Sequence, residues 1–276
     1  MASEVNLPRP DDLPDFASPP LVETVMGAQF ATPPGYLEIY AREVWALFET
    51  EFPKIQERQA LEPFFEVFGG PGADRPQIKL ETITGPIRNR FWFIADSEHE
   101  LIQFQHDRFV HNWRKIGAAP NEYPRFEPIL ERFGDELGRI DHYFQRKGWG
   151  RLVPNQCELT YVNRIVLSQD EASPWSYFRR IDFSLVEQPQ GFAFTLQQVV
   201  KGRDGKPIGR LHVEANSRRG PQGGREIGLN LTARGAPTSP TIAGAIDFLI
   251  AQRALIVRTF AELTSDAAHK KWGRSQ

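Results

Sequence analysis

The densest run of chemistry-bearing side chains is Gln103-Phe104-Gln105-His106-Asp107-Arg108-Phe109-Val110-His111-Asn112-Trp113-Arg114-Lys115. On an unbroken strand, side chains alternate between two faces. Gln103, Gln105, Asp107 and His111 would then share one face, with His106, Arg108 and Asn112 on the other. A metal site needs two or three ligands converging from one face, aided by another element. His111 and Asp107 are the pair this register would offer. Arg108, Arg114 and Lys115, with Asn112 and Trp113 among them, would instead clamp an anion or stack on a base. A guanidinium fork matches oxyanions and an indole presents a π face. The bland alternative is a sheet edge whose charges keep it from further pairing.

A second cluster lies on the run Cys157-Glu158-Leu159-Thr160-Tyr161-Val162-Asn163-Arg164-Ile165. Polar groups at this density in a central strand need partners, because each buried unsatisfied group costs about 1–3 kcal/mol. Glu158 would find one in an arginine of a neighbouring strand, such as Arg108 or Arg180. Alternatively Glu158, Tyr161 and Asn163 would line a pocket. Glu23 occupies the corresponding place in the first half, so a carboxylate pair for acid–base work is conceivable. Cys157, the sole cysteine, cannot form an internal disulfide and reads as a small buried hydrophobe rather than a catalytic thiol.

The elements that must position these residues follow from periodicity. A proline-rich, acidic arm (residues 1–20) reads as extended surface chain, with Phe16 its main apolar side chain. Leu21–Phe30 predicts a strand. Leu37, Tyr40, Ala41, Val44, Leu47, Phe48 and Phe52 predict an amphipathic helix ended by Pro53. Short aromatic and branched runs at Phe64–Phe68, Ile78–Ile83, Arg90–Ala95 and Leu101–His111 predict an antiparallel meander. A second helix carries Phe126, Ile129, Leu130, Phe133, Leu137, Ile140 and Phe144 on one stripe, between Pro124 and Gly148. Strands are then expected at Gln156–Val166, Arg180–Glu187, Phe192–Lys201, Ile208–Ala215 and Glu226–Thr232. Pro174–Phe178 would hold a short helix or turn, and Asp204-Gly205 carries a hairpin signal. A third helix spans roughly Thr241–Leu263, with Ser239-Pro240 as its start signal. Gly220-Pro221-Gln222-Gly223-Gly224 falls between strands and reads as a hairpin loop. Trp272 suggests that the basic tail (residues 264–276) is docked.

The fold class expected is α+β, an antiparallel sheet with three main helices packed on one side, in a single domain over residues 21–263. Aligning Pro19 with Pro154 brings Glu23 onto Glu158 and hints at pseudo-repeats, 21–150 and 151–263. Two such half-sheets would resemble either the saddle of TATA-binding-protein folds or a helix-grip cavity.

Composition narrows the function classes. The chain has 276 residues and a formal net charge of −2, so no global pull toward polyanions exists. Twenty phenylalanines and six tryptophans supply a substantial core. No secretory signal pattern and no apolar run of membrane-spanning length occur, which gives a cytoplasmic expectation. Phosphate-loop, dinucleotide, zincin and nucleophile-elbow patterns are missing from the sequence, so no cofactor and no metal is expected.

Four landmarks carry a resemblance. They are Leu13-Pro14-Asp15-Phe16 … Pro19-Pro20-Leu21-Val22-Glu23-Thr24-Val25, Asp107-Arg108-Phe109 … Asn112-Trp113-Arg114-Lys115, Gln156-Cys157-Glu158-Leu159-Thr160-Tyr161-Val162-Asn163 and Trp272-Gly273-Arg274. In this order they resemble a sporadically distributed family of uncharacterised prokaryotic proteins of similar length. The resemblance implies, through its patchy distribution, genes of mobile or defence-type neighbourhoods, and it transfers no activity. Asn163-Arg164 stands where that family's run continues Asn-His, which puts any role for such a histidine in doubt here.

The leading expectation is a non-enzymatic binding or interaction protein acting through the sheet face or its terminal segments, with a protein partner or a second copy. The alternatives are a small-molecule pocket or enzyme beneath the helix at 241–263, and single-stranded nucleic-acid binding through Arg108, Trp113, Arg114 and Lys115.

Overall fold

Alternation of apolar and polar side chains gives most of the strands one greasy and one polar face, and the fold follows from covering the greasy one. The computed structural model of the protein describes residues 9–69, 88–117, 122–167, 174–179, 191–220 and 223–275. The described strands are β1 (Leu21–Phe30), β2 (Lys54–Gln59), β3 (Asn89–Ile94), β4 (Glu100–Gln105), β5 (Arg108–Arg114), β6 (Pro154–Val166), β7 (Ala193–Lys201), β8 (Pro207–Arg219) and β9 (Arg225–Gly235). The helices are α1 (Ala41–Trp45), α2 (Phe126–Arg146), α3 (Ile242–Leu263) and α4 (Asp266–Lys271). The strands form one open antiparallel sheet in the order β2-β3-β4-β5-β1-β6-β9-β8-β7. The protein is therefore α+β, with its helical segments on one face of the sheet.

That face is built from Met26, Ala28, Phe109, His111, Trp113, Leu159, Tyr161, Leu231 and Ala233, all buried. The stripe on α2 packs onto the first half: Phe133 is fully buried and its ring lies 6.1 Å from that of Phe109. α3 lies over β6 and β9, burying Phe248, Leu249 and Ile256. Each such fully buried side chain contributes about 1.5–3 kcal/mol.

The two halves share an internal order. β1 pairs with the last strand of its half, β5, and β6 with the last of its own, β9, while β1 and β6 join the halves. In that seam Val25 faces Thr160, Glu23 faces Val162 and Gly27 faces Glu158. The offset that aligns Glu23 with Glu158 also takes Val25 to Thr160, so a local two-fold axis runs through that residue pair. Each half sets a helix on its own strands. The sheet is not closed on itself.

Several expectations need correction. The apolar stripe from Tyr36 to Phe52 is buried at Tyr36, Ala41, Val44, Phe48 and Phe52, but its backbone is no continuous helix. Bonds from Tyr40 to Leu37, Leu47 to Val44 and Phe48 to Trp45 tighten it into three-residue turns around the short α1. Leu101–His111 is not one strand: it reverses at His106-Asp107, where Gln105 pairs with Arg108. Phe64–Phe68 makes no ladder, whereas the polar Lys54–Gln59 does. The N-cap of α3 is Thr241, whose hydroxyl accepts from the Gly244 amide at 3.0 Å, rather than Ser239. The expected strands Ile78–Ile83 and Arg180–Glu187 lie outside the described residues.

Arm and tail clasp each other. Phe16 bridges Arg274, Ala17 donates to the Gly273 carbonyl and Ser275 donates to that of Asp15. Leu13, Phe16 and Trp272 are buried, and Trp272 sits 5.3 Å from Phe260 of α3. Within the described part of the arm, Leu13, Pro14 and Phe16 are buried while Asp11, Asp12, Ala17 and Ser18 stay exposed.

Candidate functional site

The face opposite the helices carries the polar half of each strand. Around the centre it displays Gln29 and Glu23 from β1, Arg108, Asn112 and Arg114 from β5, Gln103 from β4, and Arg90 and Trp92 from β3. From the second half come Gln156 and Glu158 of β6 and Arg234 of β9. Residues 61–69 form a strap that crosses this face. Gln105 holds Leu61 at both amide and carbonyl (3.0 and 2.9 Å), and Gln29 accepts from the Phe64 amide at 3.1 Å. Farther along, Glu66 reaches His212 at 2.7 Å and Arg210 at 3.2 Å on β8. The strap's aromatic rings cover cations: Phe64 lies 4.4 Å from the Arg234 guanidinium.

Beside the strap is a cleft of about 360 Å³, floored by Val25, Gly27 and Val110 and walled by Gln103, Arg90, Arg108, Gln156, Glu158 and Arg234. Gly27 keeps the floor low, since a Cβ there would only touch Val110 at 3.4 Å. A relay of hydrogen bonds borders it. Arg90 donates to Gln103 (2.8 Å), Gln103 to Asn112 (2.7 Å) and Asn112 to Glu23 (2.6 Å).

Charge is unevenly satisfied here. Two nitrogens of Arg234, Nε and Nη2, converge on one oxygen of Glu158, Oε2 (2.6 and 2.5 Å). Among the described residues Arg108 donates to neutral oxygens, Gln29 Oε1 at 2.7 Å and the Glu62 carbonyl at 3.0 Å. Arg90 has only the neutral Gln103, and its buried Nε has no acceptor among the described residues. Burial lowers the pKa of Arg90, and Arg108 and Arg58 lower it further. Arg108 is likewise lowered by burial, against the pull of Asp107 and Glu158. Burial pushes the Glu23 carboxyl up, opposed by Asn112 and Arg114. Trp92 is flanked by Arg58, Arg90 and Arg114 at 4.7, 5.7 and 5.9 Å from its ring.

The binding residues expected from sequence divide between the two faces. Arg108, Asn112, Arg114 and Glu158 meet on the open face. Trp113, Tyr161 and Asn163 point to the helices, and Lys115 is exposed beyond the end of β5. Trp113 is 2% exposed with its ring 5.2 Å from Tyr123, so it offers no stacking platform for a base. His111 is buried against Glu136 (3.0 Å), remote from the turn that holds Asp107. No group of three metal-ligating side chains occurs among the described residues.

Glu23 and Glu158 are four residues apart along the seam, roughly 13 Å, which is too far for a cooperating pair. They serve instead in equivalent cross-strand pairs, Glu23 opposite Arg114 and Glu158 opposite Arg234. Beneath α3, Tyr161 and Asn163 line a second, smaller cavity of about 60 Å³ together with Phe16, Phe126 and Phe260.

Arg90, Trp92, Gln156, Arg234 and the strap escaped the sequence reading. A signal existed for two of them, because Arg90 and Trp92 alternate with Phe91 and Phe93 and so share a face. No family model matches the chain, and no curated protein matches it. No described helix is long and apolar enough to cross a membrane. Chemically, the arrangement is a floor of small side chains, amide groups for directional recognition and guanidiniums in want of an acceptor.

Proposed function

We propose that the protein is a non-enzymatic binding protein that works through the open face of its sheet. The observation that carries this is the strap-bordered cleft, whose half-buried Arg90 and Arg108 form no ion pair with a carboxylate among the described residues. Taking a guanidinium out of water without an ion pair is costly, and a bound ligand supplies what the fold withholds. The volume of about 360 Å³ lies within the range of small-molecule sites. Arm and tail, whose apolar side chains are spent on each other and on α3, offer less for a partner to grip.

The test is native mass spectrometry of gently purified full-length protein beside the Gly27→Leu variant. Leucine at this position fills the cleft from its floor without demanding an unusual backbone. A mass retained by the wild type and lost from a variant of equal thermal stability supports the reading. Equal retention by both places the ligand elsewhere and refutes it.

A further inference from the structure

We propose that the cleft takes a small organic oxyanion, a phosphate monoester or a free carboxylate of about mononucleotide size, with its charged group between Arg90 and Arg108. This rests on the open-face reading above and names the ligand class.

Three features point to this class. First, the cations outnumber the anions at the walls: Arg90, Arg108 and Arg234 stand against Glu62 and Glu158, and Glu158 is already bound by Arg234. An oxyanion between Arg90 and Arg108 relieves their mutual repulsion and gives each a charge-assisted bond. Second, donors wait without acceptors. Arg90 Nε and the Nε2 of Gln156, a wall residue only 5% exposed, have no acceptor among the described residues. Buried donors are ordinarily satisfied, so a ligand oxygen at this wall would be matched by both. Third, the strap sets the size. Pinned at Leu61, Phe64 and Glu66 to β4, β1 and β8, it crosses the open face, and its residues Leu61, Glu62 and Phe64 bound the cleft. The ligand is therefore a single small molecule and not a segment of a polymer.

The experiment is isothermal titration of the full chain with inorganic phosphate, pyrophosphate, AMP, citrate, neutral adenosine and a ten-residue oligothymidylate. At least one of the anions is expected to bind, with adenosine at least tenfold weaker than AMP wherever AMP binds. AMP against citrate separates phosphate from carboxylate sources. Arg90→Gln should weaken the bound anion at least tenfold while urea unfolding stays within error. Arg151→Gln, an equal charge loss at an exposed site, should leave binding unchanged. Adenosine binding as well as AMP, or indifference to Arg90→Gln, overturns the oxyanion while leaving the cleft intact as a site. Oligothymidylate binding tighter than any small anion overturns the size argument. Anion binding that survives Gly27→Leu overturns the open-face reading instead. Silence from every anion, together with a neutral mass retained from lysate, also refutes the inference.

Discussion

Protonation of His269 should unfasten the clasp between the two ends of the chain. This ring is 4% exposed, and its tautomer is readable from its neighbours. The Thr264 hydroxyl donates its proton to the Phe260 carbonyl at 2.6 Å, so it accepts from His269 Nε2 at 2.8 Å. Nδ1 is then the acceptor for Arg274 at 3.0 Å. Burial, followed by Arg274 and Arg179, lowers the His269 pKa, with Asp266, 4.0 Å from Nδ1, and the Ala261 backbone pulling the other way. The unfolded chain, with histidine near 6.5, takes up the proton first. Stability is thus fully present above about pH 6.5 and lost as pH falls through the folded value. A proton on Nδ1 removes a hydrogen bond to a charged group, worth about 2 kcal/mol. That is roughly thirtyfold in the docking equilibrium. Urea unfolding from pH 7.5 to 5, comparing wild type with His269→Gln, isolates this residue from the other histidines. The wild type should lose about 2 kcal/mol more than the variant across that window. Titration of the His269 Cε1 proton at or above 6.5 by NMR would refute the reasoning.

Other expectations bear on separate parts of the molecule. Glu66→Gln should speed amide exchange of residues 64–68 by tenfold or more and leave global unfolding within about 1 kcal/mol, because it removes charge-assisted bonds from a segment outside the ladder. Exchange unchanged in the strap would show that the Gln29 and Gln105 contacts suffice. Cys157 is 1% exposed with its thiol pushed up to about 12, so iodoacetamide at pH 8 should leave it unmodified until the protein is unfolded. Its rapid labelling in buffer would contradict the packing of β6. Phe133→Ala should cost about 3–5 kcal/mol in urea unfolding, and a loss under 1 kcal/mol would mean that α2 is not seated on Phe109.

Periodicity disclosed the elements with a one-sided apolar pattern. The stripe on α2 and the alternation along β6 and β9 needed no partner to be recognised. β2 was invisible because Lys54, Gln56 and Arg58 occupy one face and little apolar surface occupies the other. The hairpin at His106-Asp107 mattered more. A two-residue reversal changes the parity of everything after it, so Gln103 shares its face with Arg108 and Asn112 instead of with His111. That parity change is what sends Trp113 inward and Arg108 outward. The site was legible only as residue types. Arg234 meets Glu158 through the pairing of β6 with β9, and Gln29 meets Arg108 across β1 and β5. Long-range register decides such meetings, and no local spacing encodes it.

The clasp has a consequence for how the chain is made. Phe16 and Ala17 precede every described strand in the sequence and hold a place on α3 whose other side is closed by Trp272 and Gly273. Until those residues emerge, Phe16 and Phe260 stay uncovered, however well the central strands have paired. A nascent chain halted just short of Trp272 would hold a near-complete sheet and still expose an apolar seam. Docking of Trp272, rather than formation of the sheet, is the step that covers the seam between Phe16 and Phe260.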